Sequence, residues 1–404
     1  MLYSKEEVLD FIEQEDVLFI HLVFSDAFGN QKKLAIPPDE LPRAFESGIS
    51  FDASAIAGFT GVVKSDLFLY PIPSTLTVVP WRSFHGKVVR MYCNICYPDG
   101  TPFGNDSRAL LQKAVRAARD MNLSVSIGSE FEFYLFNTDE KGNPTKEPFD
   151  QAGYMDVPPL DRSDNVRRDI VLTMKEMGIY PETSHHEEGP GQNEVDFRYS
   201  DALSAADNAM NFRTVVHAIA AQNGLYADFS PKPLEGKSGN GFHINISVSA
   251  IDGVEDTDYN RLFMSGILSH VREMSAFLNC TEDSYKRLGE KKAPKYISWS
   301  HQNRSQLIRI PAATGQYRRI ELRSADPMAN PYIAFALLIY AGLDGVKNDL
   351  KLPDPVDIDL FSASSEELAG LDKLPDTLEE AKELALGSEF IRSVLPENIL
   401  DTIR

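Results

Sequence analysis

Positive charge, cysteine and long apolar runs are all scarce in this sequence. Its 40 lysines and arginines are outnumbered by 60 aspartates and glutamates, which leaves a formal net charge of −20 at pH 7. Because nucleic acids and anionic membranes are bound by excess positive charge, we expect neither as a partner. The longest apolar run, Tyr332 to Leu343, is well short of the roughly 20 residues that span a bilayer. We therefore predict a buried helix at this run and no membrane span.

Cysteine is limited to Cys93, Cys96 and Cys280, too few for a disulfide framework, and this usage favours the cytoplasm. The C-x-x-C pair lies in "VVRMYCNICYPDG", whose Val/Tyr/Ile pattern is typical of a strand, and no second pair exists to complete a zinc site. The first residues lack the layout of a signal peptide. Instead, Ser4 and Glu7 predict a capping box before a helix, as expected at the start of a mature protein.

The length of 404 residues, with 43% hydrophobic and 25% charged residues, is typical of a globular protein with two domains. One capped helix is followed by short strand-like segments; from Asp106 onwards, amphipathic helices alternate with strands. This order indicates an α+β protein, with no internal repeat and no Gly-rich dinucleotide-binding turn. The loop-like segment "YPDGTPFGND" predicts a boundary between a domain over 1–102 and a larger one over 103–404.

Four strand-like segments place groups that bind ligands on one face. Alternate residues of a strand point to the same side. On that side the four segments carry Glu130 and Glu132; Glu194 and Asp196; His243, Asn245 and Ser247; and Arg319, Glu321 and Arg323. For any single strand, a solvated sheet face is the simpler interpretation. Carboxylate, imidazole and guanidinium groups on four strands favour a functional site.

The carboxylates on these segments, together with Glu187, predict a metal site. A face that gathers Glu130, Glu132, Glu187, Glu194 and Glu321 would repel itself unless cations lay between them. Carboxylates suit hard ions such as Mg²⁺ or Mn²⁺, and a single imidazole is compatible with Mn²⁺ but makes a poor zinc site. We therefore expect two or more hard cations, an arrangement common in sites that handle nucleotide phosphates.

Arginines that suit an anionic substrate follow in the C-terminal half. They are interleaved with Ile, Leu and Pro, and they are Arg287, Arg304, Arg309, Arg319 and Arg323. Arginine holds phosphate or carboxylate with two parallel hydrogen bonds. For any one of them, a surface salt bridge is an equally good interpretation.

These segments also match a set of motifs. The motifs are an E-x-E strand ("GSEFEFYLF"), an HHE…GQ-(N/H)-E segment ("HHEEGPGQNEVDF") and an FDGSS-type loop ("FDASAIAGF"). To these are added a glycine-rich strand ("KSGNGFHINIS") and an Arg-rich block ("SWSHQNRSQLIRIP" and "RRIELRSADPMANPYIAFA"). Over almost the whole chain, the sequence resembles the class I glutamine synthetases of bacteria.

The resemblance implies a small N-terminal β-grasp domain and a large catalytic domain with a curved antiparallel sheet, a fold shared with guanidino kinases. It also implies homo-oligomeric rings of six subunits, with active sites between neighbours. The family's rings usually pair into dodecamers through a C-terminal tail, but this sequence ends earlier, at Arg404. A hexamer is therefore the firmer expectation. Phe361 replaces the family's adenylylation tyrosine, so we expect no control at that position.

The implied activity is ATP-dependent formation of L-glutamine from L-glutamate and ammonia through γ-glutamyl phosphate, with two or three Mg²⁺ or Mn²⁺ ions per site. By resemblance, one metal would be held by Glu132, Glu187 and Glu194. The second, on the ATP phosphates, would be held by Glu130, His243 and Glu321. His185 and His186 would have a supporting or structural part.

The resemblance also implies roles for residues that contact the substrates. Arg287, Arg323 and Gly239 would bind glutamate. Arg304 would stabilise the transferring phosphoryl group, while Arg309, Ser247 and Asn245 would contact ATP. Asp52, reaching in from the adjacent subunit, would receive a proton from ammonium.

The flap of the site departs from the family pattern. The family's Y-K-R-L-V-P-G-Y-E-A-P is replaced by "YKRLGEKKAP", in which Lys291 and Lys292 stand before Ala293. Glu290 could take over the part of the family's flap glutamate, which closes the site and helps to deprotonate ammonium. Ala55 and Ser238 also replace a serine and an asparagine of the family.

Three functions remain open from the sequence. The first is a glutamate–ammonia ligase. The second is a γ-glutamylamide synthetase that uses methylamine, ethanolamine or a polyamine, for which the altered flap is the reason. The third is a catalytically silent relative that acts as a structural or regulatory oligomer, which the retained metal and arginine positions argue against.

Overall fold

The computed structural model of the chain describes residues 3–59, 65–82, 86–253, 257–290, 292–313, 315 and 318–404. The helices are α1 (Lys5–Gln14), α2 (Leu41–Ser47), α3 (Ser107–Asp120), α4 (Asp164–Glu176), α5 (Ala202–Gln222), α6 (Tyr259–Leu278), α7 (Glu282–Arg287), α8 (Pro331–Lys347), α9 (Ser365–Leu368), α10 (Leu378–Gly387), α11 (Glu389–Val394) and α12 (Glu397–Leu400). The strands are β1 (Val17–Ser25), β2 (Gln31–Ile36), β3 (Ile49–Asp52), β4 (Asp66–Pro71), β5 (Thr77–Val78), β6 (Lys87–Cys96), β7 (Leu123–Thr138), β8 (Pro144–Pro148), β9 (Pro181–His186), β10 (Gln192–Asp201), β11 (Leu225–Asp228), β12 (Phe242–Ala250), β13 (Trp299–His301), β14 (Ile308–Ile310) and β15 (Ile320–Leu322).

The N-terminal part forms its own sheet and core. Its strands lie in the order β2-β1-β6-β4-β3, with β5 also paired to β6; among the strand pairs of the described residues, β1–β6 alone is parallel. The capping box of Ser4 and Glu7 begins α1, as predicted. Cys93 and Cys96 are free, buried residues of β6, so the prediction that the C-x-x-C pair belongs to a strand is confirmed.

The second sheet has the order β13-β14-β15-β12-β7-β10-β9, with β8 and β11 also paired to β7. Its pairs are antiparallel except at one edge, where β13 and β14 are parallel. The expectation of an antiparallel sheet is therefore wrong at that edge and the sheet is mixed.

One face of this sheet is apolar and covered by helices. Phe131 of β7 stacks on Phe242 of β12, with ring centroids 4.2 Å apart, and it lies 5.4 Å from Phe212 of α5. All three rings are fully buried. Because side chains alternate along a strand, packing Phe131 against α5 turns its neighbours Glu130 and Glu132 to the opposite face.

The apolar run predicted to be a buried helix is α8, which packs against α6. The contact is close because a Cβ on Gly266 of α6 would lie 2.0 Å from the carbonyl oxygen of Ala341. Among the described residues, no helix combines the length and hydropathy needed to cross a membrane.

Buried polar groups join the N-terminal sheet to the helices beneath the second sheet. Tyr92 of β6 donates its hydroxyl to Asn211 of α5 at 2.5 Å. Arg108 of α3 makes two parallel hydrogen bonds to Asp207 of α5, at 2.9 and 2.8 Å. Asp207 also accepts the hydroxyl of Tyr332 at 2.7 Å. The Tyr92–Asn211 bond crosses between the two parts of the chain, whereas the bonds of Asp207 tie α3, α5 and α8 of the second part together. The boundary between 102 and 103 stays a prediction.

Candidate active site

The turn between β9 and β10 folds two predicted metal ligands towards one point. The backbone N–H of Glu187 donates to the carbonyl of Gln192 at 2.8 Å, and Gly191 takes a positive φ of 70° that glycine adopts readily. Across this turn, His185 Nε2 lies 3.2 Å from Glu187 Oε1 and 3.6 Å from Glu194 Oε2. The three side chains offer ligand atoms that all lie within 4.8 Å of one another.

Strand register brings the remaining predicted ligands to the same face. In the antiparallel ladders, Glu132 lies opposite Glu194, and Glu130 lies opposite His243. Residues directly opposite each other on neighbouring strands have side chains in contact range. The pattern E-x-E on the central strand therefore serves both neighbouring strands, one glutamate for each.

A second group forms around the imidazole of His243. Its Nδ1 atom lies 3.3 Å from Glu130 Oε2 and 3.9 Å from Glu321 Oε1. Asn245, two residues along β12, donates its amide to Glu130 at 2.7 Å. The structure thus brings Glu130, His243 and Glu321 together, as the sequence predicted, and ties Asn245 to them.

Glu132 stands between the two groups. Its Oε2 accepts the backbone N–H of Gly241 at 2.7 Å, and its Oε1 lies 4.0 Å from His243 Nε2. Gln192 of β10 also approaches it, at 3.4 Å. The six predicted ligands consequently form one continuous patch.

Electrostatics show that this patch is short of positive charge. Burial, followed by the charges of Asp196, Glu132, Glu130 and others, raises the pKa of Glu194 well above its usual value. Burial and Glu130 likewise raise the pKa of Asp196 to about 6. Glu130 differs: burial raises its pKa, but the hydrogen bond and charge of His243 outweigh this and lower it to about 2. A donor set of crowded carboxylates with little imidazole fits hard divalent cations.

A cavity of about 210 Å³ opens beside the patch and contains the predicted glutamate-binding residues Arg287, Arg323 and Gly239, together with Arg304. Arg287 is buried and donates to the carbonyl of Ser324 at 2.9 Å. A Cβ on Gly239 would lie 2.4 Å from the carbonyl of Pro231, so only glycine fits there. Two buried guanidinium groups in so small a cavity suit a carboxylate ligand.

A second cavity, of about 1480 Å³, lies along β12 and contains Ser247 and Arg319. Its volume is ample for a nucleotide. Asn245 accepts a hydrogen bond from Arg319 at 2.9 Å and so connects this cavity to Glu130. Arg309 donates to Glu321 at 2.6 Å instead of lining the larger cavity.

Two predicted catalytic carboxylates are not brought to the smaller cavity within this chain. Asp52 is exposed at the end of β3 and accepts the backbone N–H and hydroxyl of Ser54 at 2.9 and 2.6 Å. Glu290 accepts a hydrogen bond from Lys232 at 2.8 Å and is not among the residues that line the cavity. Lys291 lies outside the described residues.

The residues that sequence reasoning missed come from loops. Tyr154 and Glu188 line the smaller cavity, as does Lys292, which the altered flap sequence had already singled out. His185 was predicted to have only a supporting part. Its Nε2 atom nevertheless lies 3.2 Å from a carboxylate oxygen of Glu187 and 3.6 Å from one of Glu194, close enough for the three side chains to bind one ion. Loop residues follow no periodic pattern, so only the adjacency of Glu188 to Glu187 was available as a signal.

A buried acid–imidazole group lies behind the metal-binding turn. Asp161 pairs with Arg167 through hydrogen bonds of 2.5 and 3.2 Å. Asp150 accepts His186 Nε2 at 2.8 Å and the backbone N–H of Gly191 at 3.0 Å. The other ring nitrogen of His186 donates to the carbonyl of Glu187 at 2.7 Å. Because these side chains are committed to one another and to the backbone, they support the turn.

Two family models match this chain. The model described as "Glutamine synthetase, catalytic domain" matches residues 104–404, and "Glutamine synthetase, beta-Grasp domain" matches residues 16–98. The chain belongs to the glutamine synthetase family. Among curated relatives, the glutamine synthetase of Methanosarcina mazei is 44% identical over 412 residues, covering 98% of this chain and 91% of the relative. That of Clostridium saccharobutylicum is 42% identical and covers 98% and 92%.

Solved structures of the family have the same fold. A GmaS structure in complex with ADP superposes with a TM-score of 0.89 at 26% identity, covering all of this chain and 94% of that one. Plasmodium falciparum glutamine synthetase gives 0.87 at 23% identity, covering 99% and 94%. The predicted fold class, a small β-grasp domain with a large catalytic domain, is confirmed.

Proposed function

We propose that this member of the glutamine synthetase family is a glutamate–ammonia ligase that forms L-glutamine through γ-glutamyl phosphate. The observation that carries the proposal is the continuous patch of Glu130, Glu132, Glu187, Glu194, His243 and Glu321. Four of these residues line the small arginine-containing cavity, and Asn245 links Glu130 to Arg319 of the large one. The activity is the one named for curated relatives that are 41–44% identical over nearly the whole chain.

Each part of the patch has an assigned role in this proposal. Glu132, Glu187 and Glu194 would hold one Mg²⁺ or Mn²⁺ ion, and Glu130, His243 and Glu321 another. When bound, such ions neutralise the charge that develops on ATP phosphates during phosphoryl transfer. The register of β7 with β10 and β12 pre-arranges these side chains, so little reorganisation is required when a cation binds.

The two cavities separate the two anionic substrates. Arg287, Arg323 and Gly239 would bind glutamate in the smaller cavity, and Ser247 and Asn245 would contact ATP in the larger one. Arg304 lines the smaller cavity, where its guanidinium would stabilise the transferring phosphoryl group. Arg309, which pairs with Glu321 and does not line the larger cavity, is assigned its contact with ATP by the family resemblance alone.

Finer predictions belong to the same proposal. They are the class I bacterial type, the domain boundary at 102/103, the cytoplasmic location and a ring of six subunits, possibly paired into a dodecamer. In such a ring, the exposed Asp52 would enter the neighbouring subunit's site and receive a proton from ammonium. Glu290, held by Lys232, would need to leave that contact before it could act there.

The decisive test is phosphate release measured with each reactant omitted in turn. We expect turnover only when glutamate, ammonium and ATP with Mg²⁺ are all present, and inhibition by methionine sulfoximine. Glu132→Gln is expected to abolish it, while the exposed Glu147→Gln on β8 serves as the matched control. ATP hydrolysis that does not depend on glutamate would contradict the proposal.

One specific feature keeps a second function in view. The flap presents Lys292 instead of a carboxylate to the small cavity, which would fit an enzyme that accepts an amine other than ammonia. Such a γ-glutamylamide synthetase would turn over a singly charged amine such as methylamine or ethanolamine and fail with ammonium. An amine panel with glutamate and ATP separates the two functions.

A further inference from the structure

Glu188 and Tyr154, two side chains of the small cavity, form a cation site that Lys292 of the same chain occupies. Lys292 Nζ lies 2.6 Å from Glu188 Oε1 and 5.0 Å from the centroid of the Tyr154 ring. All three residues line the 210 Å³ cavity that also contains Arg287 and Arg323. A carboxylate together with an aromatic face is the combination that recognises ammonium-type cations.

The described residues of the flap, which are Gly289, Glu290, Lys292 and Ala293, hold Lys292 in this place. The backbone N–H of Gly289 donates to the carbonyl of Ala293 at 2.8 Å, and the backbone N–H of Ala293 donates to the carbonyl of Glu290 at 2.9 Å. Lys292 takes a positive φ of 69°, which costs free energy for a residue with a side chain. Ala293 is only 3% exposed, so the turn is anchored in the protein beside the cavity.

Glu188 is held from the other side of the cavity. Its backbone N–H donates to Glu187 Oε2 at 2.9 Å, and its own carboxylate accepts the hydroxyl of Ser238 at 3.2 Å. The pair of Glu188 and Lys292 therefore bridges the metal-binding turn and the flap. Lys292 neutralises Glu188 and covers the Tyr154 ring, so the carboxylate and the aromatic face that a second ammonium group would use are already occupied.

We propose that Lys292 is a specificity-determining residue that admits ammonium and small singly charged amines but disfavours amines with a second positive charge. This inference rests on the proposed function, because it concerns the amine used in that reaction. A sphere of 210 Å³ is about 7 Å across, so a second ammonium group would remain within about 7 Å of Lys292. Paired with Lys292, Glu188 presents no net charge to that second group. With an effective dielectric constant between that of water and about half of it, the attraction of an unpaired Glu188 would raise affinity about three- to tenfold, and Lys292 cancels this gain.

The test compares two amines of nearly equal shape, 1,3-diaminopropane and n-butylamine, as inhibitors of glutamine formation. Their inhibition constants against ammonium are measured for the wild-type enzyme and for Lys292→Met, Lys292→Arg and Lys286→Met. Lys286 forms a similar ion pair with Asp283 at 2.8 Å, on the helix that precedes the flap, and does not line the cavity. It is therefore the matched control.

We expect Lys292→Met to improve inhibition by the diamine three- to tenfold while leaving n-butylamine nearly unchanged, because Glu188 and Tyr154 are then free to bind the second charge. Lys292→Arg and Lys286→Met should keep the wild-type ratio. Adding Glu188→Gln to Lys292→Met should remove the gain. The KM for glutamate should stay within about twofold in Lys286→Met, whose side chain does not line the cavity.

An unchanged ratio of the two inhibition constants in Lys292→Met would overturn the inference. So would the absence of inhibition by either amine in every variant, since size rather than charge would then set selectivity. If Lys292→Met fails to fold, Lys292→Gln replaces it with the same expectation. Failure of the proposed function is distinguishable, because the wild-type enzyme would then form no glutamine from ammonium at all.

Discussion

Replacing Asp150 by Asn tests whether the buried group behind the metal-binding turn positions the metal ligands. One carboxylate oxygen accepts His186 at 2.8 Å and the N–H of Gly191 at 3.0 Å. The other accepts the N–H of Arg162 at 3.1 Å and the hydroxyl of Ser163 at 3.0 Å. Asp150 thus holds both ends of the turn between β9 and β10.

The magnitude follows from these contacts. Asparagine keeps one oxygen for His186 and Gly191 but points its N–H₂ group at the backbone N–H of Arg162. A weakened charge-assisted hydrogen bond and one buried donor left without an acceptor together cost about 3 kcal/mol. For a domain of this size, that corresponds to a fall in Tm of about 6 °C. Displacement of supporting residues typically weakens metal binding about 10- to 100-fold.

The assay combines thermal unfolding with titration of Mn²⁺, followed by the electron paramagnetic resonance signal of the free ion. Asp139→Asn is the matched control, because Asp139 accepts similar hydrogen bonds from Lys141 and Asn143 in an exposed turn. Its Tm and its Mn²⁺ affinity should change little. An Asp150→Asn protein with wild-type Mn²⁺ affinity would refute the reasoning, whatever its Tm.

Acid stability gives the same prediction a second readout. Burial raises the pKa of Asp150, but the hydrogen bond and charge of His186 outweigh this and lower it to about 2. A pKa below the ordinary value of 3.8 means that the stabilisation is present above that pH and lost as pH falls towards 2. The free energy of unfolding of Asp150→Asn should therefore depend less on pH in this range than that of the wild-type protein.

Three further predictions concern the buried charges and the turn. Arg108→Met leaves Asp207 buried without its partner and should destabilise the protein by about 3–5 kcal/mol, measured by chemical denaturation. Gly189→Ala should reduce Mn²⁺ affinity at least about tenfold, because its Cβ would lie 1.9 Å from the hydroxyl oxygen of Tyr134 and force the turn to move. Glu194→Gln should raise the Tm in EDTA at pH 8, because the raised pKa of Glu194 means that its negative charge destabilises the metal-free protein. The same substitution should reduce the increase in Tm that follows the addition of Mn²⁺.

Each of these substitutions has a matched control. Arg119→Met changes an exposed arginine of α3 and should be nearly neutral. Gly104→Ala introduces a Cβ with nothing within 4 Å and should keep Mn²⁺ affinity. Glu182→Gln changes an exposed residue of β9. Wild-type stability in Arg108→Met, wild-type Mn²⁺ affinity in Gly189→Ala, or a lower Tm in EDTA for Glu194→Gln would contradict the respective argument.

The sequence by itself determined which residues face the site. Alternation along β7 sends Phe131 to the core and Glu130 and Glu132 to the other side, because the pleat of a strand leaves no other choice. The short turn that joins Glu187 to Glu194 is equally local. The residues that could bind a metal, and the strands that carry most of them, could therefore be predicted without knowledge of any tertiary contact.

Only the tertiary structure decided which strands are neighbours and what the loops contribute. The central place of β7 puts Glu132 opposite Glu194 and Glu130 opposite His243, a register set by packing over the whole sheet. The pairing of Glu188 with Lys292 joins two loops that no periodic pattern relates. Loop side chains meet only when distant segments fold together, so the charges that line the small cavity depend on the tertiary structure. The face that carries the metal ligands, in contrast, follows from the alternation of side chains along each strand.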